Sequence, residues 1–308
     1  MIALYGGATA LILGIGFAAG PYWVQLAIGV AISALLALSW DVLSRAGLVS
    51  LGTAGFFGLG SYSSALLADP LGAGLAWVCT VPVCALVAMA LGLITLRLRR
   101  MYFAIATLAF ALALQVVVLI APDLTGGAGG ISPTVIFGGD PRFQLLLIGA
   151  FLLAALGISD VLLTPRFRPA FFVIRVNPDL AAASGVPVVR AKVLAFMVSG
   201  VIAGLAGASY GGLYGYVVPA DVFTLNWSVL PLAVTVLGGM DTTTGPLLGA
   251  ILLRALEEAA RATVGGVGYQ VVYGAVIIGF VLLMPSGIVG LVHRLRQRPR
   301  TVAGLART

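Results

Sequence analysis

From Ile2 onward the chain alternates long apolar runs with short polar breaks, and the runs carry most of its length. They cover approximately residues 2–20, 22–43, 53–68, 73–96, 102–121, 144–163, 193–218, 227–240, 245–262 and 268–291. A helix crossing a bilayer needs about 20 apolar residues, because lipid offers backbone N–H and C=O groups no partner. The pattern predicts about ten transmembrane helices, of which the eighth is short. In the seventh, SGVIAGLAGASYGGLYG places Gly200/Gly204, Gly207/Gly211 and Gly211/Gly215 four residues apart, the spacing that lets helix backbones approach in lipid. Two glycine-rich stretches, 47–60 (GLVSLGTAGFFGLG) and 238–249 (GGMDTTTGPLLG), each follow a span. They read either as broken or re-entrant helices around a transport path, or as ordinary turns on the cytoplasmic side.

Composition agrees: 61% of the 308 residues are hydrophobic and 9% charged, against roughly 25% charged in a soluble domain. A net charge of +7 could suggest nucleic acid, but the basic residues form short clusters between apolar runs, so topology explains them better. Arg97, Arg99 and Arg100 flank one turn; Arg166, Arg168, Arg175, Arg190 and Lys192 share one long loop; Arg294, Arg296, Arg298, Arg300 and Arg307 occupy the tail. The alternate loops hold Asp123, Asp140 and Asp221 with Arg142 as their one basic residue. The positive-inside rule then places both termini in the cytoplasm, and that parity requires an even number of spans. The expectation is an all-α integral membrane protein forming a single polytopic domain over 1–308, with a cytoplasmic loop at 164–192 and a basic cytoplasmic tail at 292–308. Residues 2–20 have no basic residue ahead of them and read as a retained first helix, not a secretory signal.

Candidate chemistry is sparse. Cys79 and Cys84 share one apolar run without nearby histidines, so they read as packing residues and no metal is expected. The single histidine, His293, opens the basic tail. Asp41 and Arg45 lie four apart near the end of the second span, and Arg254, Glu257, Glu258 and Arg261 give Arg254/Glu258 and Glu257/Arg261 as helical pairs. No unpaired carboxylate or histidine falls in the middle of a span, which argues against a proton-coupled carrier, and no set of residues suits an enzyme. ATP binding by a phosphate loop needs G-x-x-x-x-G-K-[ST], yet the one lysine, Lys192, sits between Ala191 and Val193. Any ATP hydrolysis therefore belongs to another chain.

A partner ATPase needs a docking surface, and the 164–192 loop offers one. Its core, RVNPDLAAASGVPVVRAK, reads as a short helix started by Pro178, with Asp179 at the positive end of the helix dipole and Gly185 as its stop. Ala181, Ala182 and Ala183 predict a smooth face able to enter a groove, with Arg175 and Asp179 as flanking polar contacts. A short amphipathic helix lying on the membrane is the alternative.

The stretches AGLVSLGTAGFFGLGSYSSALL at 46–67, LRLRRMYFAIATLAFAL at 96–112, DLTGGAGGI at 123–131, AKVLAFMVSGVIAGLAGASY after the loop, and VTVLGGMDTTTGPLLGA at 234–250 resemble the LivM-type permease subunits of branched-chain amino acid ABC transporters. The resemblance implies a translocation path shared with a paralogous permease, two cytoplasmic ATPase subunits, an extracytoplasmic substrate-binding protein, and a coupling helix at Ala181–Gly185. No cofactor is expected on this chain, ATP being used by partners, and the implied location is a bacterial or archaeal cytoplasmic membrane. Gly58, Gly60, Ser61 and Tyr62, in the matched glycine-broken segment, are candidate pathway residues, and Gly200, Gly204, Gly207 and Gly211 are candidate packing residues. The chain departs from the family where glutamates are common (Pro178 and Ala182), where a histidine is common (Thr53), and in the polar turn Asp241–Thr244. Related systems carry urea, amides or aromatic acids, which leaves the solute open.

Overall fold

The computed structural model describes residues 20–98, 100–133, 140–264 and 287–296, with isolated positions near 6–16 and 274–279. Its helices are α1 (Pro21–Arg45), α2 (Thr53–Leu71), α3 (Ala73–Thr95), α4 (Arg100–Leu119), α5 (Pro122–Thr125), α6 (Pro141–Leu162), α7 (Arg168–Val176), α8 (Pro178–Ala183), α9 (Val188–Tyr214), α10 (Pro219–Val222), α11 (Asn226–Gly238), α12 (Thr244–Val264) and α13 (Gly287–Arg296). The described residues contain no strand, only an isolated antiparallel bridge between Ile131 and Val217.

Among the described residues, six helical stretches are long and apolar enough to cross a membrane: Pro21–Arg45, Gly74–Thr95, Met101–Leu119, Pro141–Leu162, Val188–Tyr214 and Pro219–Gly238. The predicted segments 53–68 and 245–262 are helices too, but they are not among the six. Most of the predicted spans 2–20 and 268–291 lies outside the described residues.

α1 is the axis of the fold: 83% of its apolar window is buried, against 28% for Gly74–Thr95 and 22% for Met101–Leu119. It packs on α6, α9, α11 and α12, while α9 also packs on α2 and α3. The large apolar side chains that α3 and α4 leave exposed, such as Val78, Ile94, Ile105 and Val116, suit contact with lipid.

Several glycines of α9 lie against other helices. A Cβ added at Gly60 would run into the Gly204 carbonyl, and one at Gly207 into the Phe57 carbonyl; Gly200 faces Phe56 and Ala88, and Gly204 also faces Cys84. Gly211 packs against Val217 and the Ser61 backbone. Gly215 differs, because it ends α9 in the left-handed conformation (φ 64°) with its N–H on the Gly211 carbonyl. It caps a helix instead of packing one.

Of the two glycine-rich stretches, 47–60 is broken only up to Gly52, and a regular helix begins at Thr53. The connection nevertheless runs inward. The Leu51 N–H donates to Thr107 Oγ1 (3.1 Å), seven residues into α4, and the Ala54 N–H donates to Ser228 Oγ (3.0 Å), ten residues before the end of α11. At 1.5 Å rise per residue these contacts lie about 10 Å from the start of α4 and about 15 Å from the end of α11. The backbone there is not left unsatisfied: Ser228 Oγ also donates to the Leu51 carbonyl (2.6 Å), and the Gly52 N–H donates to Ser50 Oγ (3.0 Å). The second stretch breaks only between α11 and α12, where Gly238 and Gly245 bring the two helices into backbone contact.

Gly207→Ala is expected to cost about 1–3 kcal/mol through overpacking, seen as a lower melting temperature in detergent. Gly157→Ala, where the new Cβ meets nothing within 4 Å, should leave stability unchanged or slightly raised. Equal effects from the two substitutions would refute the α2–α9 contact.

Candidate functional site

At the basic end of the bundle a polar network joins four elements. Asp41 and Arg45 form the predicted pair and are almost fully buried, at 0% and 5% exposure. Arg45 Nη1 donates to the Ser159 carbonyl (3.0 Å) and Nη2 to Ser159 Oγ (2.9 Å), drawing in the end of α6. The second Asp41 oxygen accepts the Asp241 N–H (3.1 Å). Asp241 stands between α11 and α12 with φ 63°, the one non-glycine residue with positive φ among those described. Aspartate tolerates that conformation better than most side chains. Its carboxylate takes two bonds of 2.7 Å from Arg175 Nη1 on α7. Thr243 Oγ1 donates to Asp160 Oδ1 (2.7 Å), closing the turn onto α6.

Gly47 lets α7 come close: with φ 74°, it lies where a Cβ would sit 2.9 Å from the Arg175 Cα. A cavity of about 170 Å³ lies among Arg45, Leu162, Phe171, Arg175 and Asp241. Arg175, expected as a contact for a partner, is thus half-exposed and paired within the chain.

The short helix predicted from Pro178 is α8. Asn177, not singled out in the sequence, caps it by accepting the Asp179 and Leu180 N–H groups (3.0 and 3.1 Å). Pro178 occupies the first turn. Gly185 is left-handed (φ 82°), and the Gly185 and Val186 N–H groups close on the Ala182 and Ala181 carbonyls. The three alanines do not form one outer face: Ala181 is fully buried, whereas Ala182 and Ala183 are exposed beside Asp179 and Leu180. Before it lies α7, whose amphipathic sequence RPAFFVIRV the sequence reading did not separate from the loop. Phe172, Val176, Leu180 and Val189 are each more than half exposed across this unit. Behind it, a cleft of about 470 Å³ lies among Pro178, Asp179, Arg97, Leu98 and Lys192.

The candidate pathway residues sit elsewhere, on α2. Gly58 faces the Phe223 ring and Gly60 the Gly204 backbone. Ser61 Oγ donates to the Phe57 and Gly207 carbonyls (3.0 and 2.7 Å), and Tyr62 Oη to the Val217 carbonyl (3.4 Å). These residues pack α2 against α9 and the Val217 turn.

At the other end of the bundle the charges of α12 pair differently from expectation. Arg254 bonds Glu257 (2.9 Å) rather than Glu258, Glu257 also bonds Arg261 (2.9 Å) as expected, and Glu258 accepts the Tyr22 hydroxyl. Three- and four-residue spacings both bring helical side chains together, so spacing alone could not choose. Among the described residues no group of His, Cys, Asp or Glu could hold a metal ion.

The described residues thus form a helical bundle with a small paired-helix unit docked through an ion pair on its basic end. The chain belongs to the family described as the branched-chain amino acid transport system permease component, whose model matches residues 22–284. It is 34% identical over 254 residues to the high-affinity branched-chain amino acid transport system permease protein LivM of Escherichia coli K12, covering 71% of this chain and 59% of that protein. It is 31% identical over 158 residues to the probable branched-chain amino acid transport permease protein LivH of Methanocaldococcus jannaschii, covering 48% of this chain and 45% of that one. The chain thus spans less than two thirds of the length of these curated relatives. No solved structure matches it significantly.

Arg45→Ala would strand Asp41 in the core, with a cost of about 3–5 kcal/mol. The half-exposed Arg175–Asp241 pair should give a coupling of up to about 1 kcal/mol in a double-mutant cycle. Thermal unfolding in detergent measures both, and an Arg45→Ala cost no larger than that of Arg175→Ala would contradict the burial ranking.

Proposed function

We propose that this chain is a transmembrane permease subunit of an ATP-binding cassette importer for branched-chain or other hydrophobic amino acids. It forms the translocation path with a paralogous permease. Two cytoplasmic ATPase subunits supply ATP hydrolysis, and an extracytoplasmic binding protein delivers the solute. The chain binds no cofactor of its own and does no covalent chemistry. It sits in a bacterial or archaeal cytoplasmic membrane with about ten spans and both termini cytoplasmic, the side on which the basic turns, the 164–192 loop and the 292–308 tail lie.

The observation that carries this reading is the α7–α8 unit. Together with Val189 at the start of α9, it offers an exposed apolar rim of Phe172, Val176 and Leu180 around the exposed Ala182 and Ala183. Its Arg175 is tied through Asp241 to the buried Asp41–Arg45 pair. A partner that pushes α8 therefore pushes on α1, α6 and the α11–α12 turn together, the kind of rigid coupling that alternates two arrangements of packed helices. Without glutamate at 178 and 182, α8 docks through shape and apolar contact, with Asp179 as its polar edge.

Ala182→Arg should leave the complex inserted and assembled while uptake of a branched-chain amino acid in proteoliposomes uncouples from ATP hydrolysis. Uptake at the wild-type level in that variant would sink the assignment of α8 as the coupling contact.

A further inference from the structure

Arg254 lies at the middle of α12 and meets the middle of α1. Its Nε donates to Ser33 Oγ (3.0 Å), and Ser33 is the central residue of the 25-residue α1, about 18 Å from either end. Ser33 itself donates to the Gly29 carbonyl (2.9 Å). The guanidinium lies over Gly29, where an added Cβ would come within 3.6 Å of its central carbon. From this level a cavity of about 170 Å³ extends toward the end of the bundle opposite the basic turns, lined by Arg254, Glu257, Glu258, Arg261, Tyr22 and Tyr214.

Two features distinguish this cavity from a set of surface ion pairs. A charge at the centre of a lipid-facing helix costs about 2.5–3.5 kcal/mol, so ionisable groups at such depth face protein or a water-filled cavity and mark solute paths. Arg254 and Glu257 are only about one fifth exposed, yet both border open space instead of being sealed by packing. The four charged groups also sum to zero, two guanidinium and two carboxylate. A free anion or a free cation would leave one sign in excess. A ligand carrying one carboxylate and one ammonium can exchange with the internal pairs and keep the balance, its carboxylate on Arg254 and its ammonium on the Glu258 carboxylate that now accepts from Tyr22.

We infer that the Arg254–Glu258 cavity is a transit site for the dipolar head of an α-amino acid on the translocation path. The inference deepens the proposed function and depends on it for the solute class. The apolar side chain of the ligand would lie toward Leu26 and the Tyr214 ring, which also border the cavity.

The test uses the complete complex in nanodiscs without the binding protein. Equilibrium binding of radiolabelled leucine is measured with two competitors: 4-methylpentanoate, which lacks the ammonium, and 3-methylbutylamine, which lacks the carboxylate. The expected result is saturable leucine binding, with both competitors at least about tenfold weaker than leucine, since a charge-assisted contact contributes about 1.5–3 kcal/mol. Arg254→Ala and Glu258→Gln should each weaken leucine binding by a similar factor. Glu258→Gln leaves the Arg254–Glu257–Arg261 set intact, so it keeps the test decisive if Arg254→Ala fails to fold. Unchanged binding in Glu258→Gln, or no saturable binding by a complex that does transport leucine in proteoliposomes, overturns the inference and leaves the proposed function standing. Weakening that appears only with loss of the assembled complex on gel filtration also overturns it, because the charges would then serve folding. A wild-type complex that transports no neutral amino acid removes both readings.

Discussion

The buried Asp41–Arg45 pair is the constraint on which the rest of the basic end depends. Two opposite charges inside a helix bundle repay their desolvation only if their remaining hydrogen-bonding groups also find partners. Asp41 has an oxygen to spare after binding Arg45, and Arg45 has further N–H groups. The spare oxygen takes the Asp241 N–H, and the guanidinium takes both polar atoms of Ser159. Apart from Arg45 Nε, which is buried without a partner, the pair's groups are met this way, and meeting them fixes how the end of α6 and the α11–α12 turn are held. Asp241, held in a left-handed conformation by that contact, presents its carboxylate outward to Arg175. The attachment of α7 is a consequence of a pairing that begins on α1.

A second accounting governs the path from Arg45 to Thr53. A non-helical segment can run into a membrane bundle only where protein replaces the missing water, and here Thr107 and Ser228 supply the side-chain partners. Gly52 permits the approach, because a Cβ there would lie 2.8 Å from the Thr107 carbonyl oxygen. The apolar run that begins at Thr53 therefore starts inside the bundle, not at its surface. α2 can then lay Phe57 and Gly60 against Gly207 and Gly204 of α9.

Hydropathy made most helices legible, since runs such as 73–96 and 144–163 have no other way to satisfy their backbones in lipid. Asp41–Arg45 was legible because a four-residue spacing in an apolar helix leaves few alternatives, and α8 because Pro178 and Gly185 punctuate it. What was not legible depends on contacts between residues far apart in the chain. The Asp241–Arg175 pair spans 66 residues and Tyr22–Glu258 spans 236. Asp241 did carry a signal, as the one charged residue in GGMDTTTG. The four-residue spacing also includes Gly215, which ends α9, because spacing cannot distinguish a glycine facing a neighbour from one ending a helix. Resemblance places Gly58 to Tyr62 near a path, while Gly60 and Ser61 face α9 directly.

α1 and α12 are clamped to each other at two heights. Near the basic end Asp41 holds the Asp241 N–H, three residues before α12 begins; at mid-height Ser33 holds Arg254. Ser33 and Asp41 are eight residues apart on one continuous helix, about 12 Å, and Arg254 follows Thr244 on another. A regular helix transmits displacement along its axis with little internal adjustment, since each turn is bonded to the next. A force that reaches Asp241 through Arg175 therefore has a short rigid route, along α12, to the charged groups of the cavity at the opposite end of the bundle. Asp241, the contact nearest the α7–α8 unit, lies three residues before one end of α12, and Arg254 lies at that helix's centre. Coupling between the two sites needs no element beyond α12 and the axis it is clamped to.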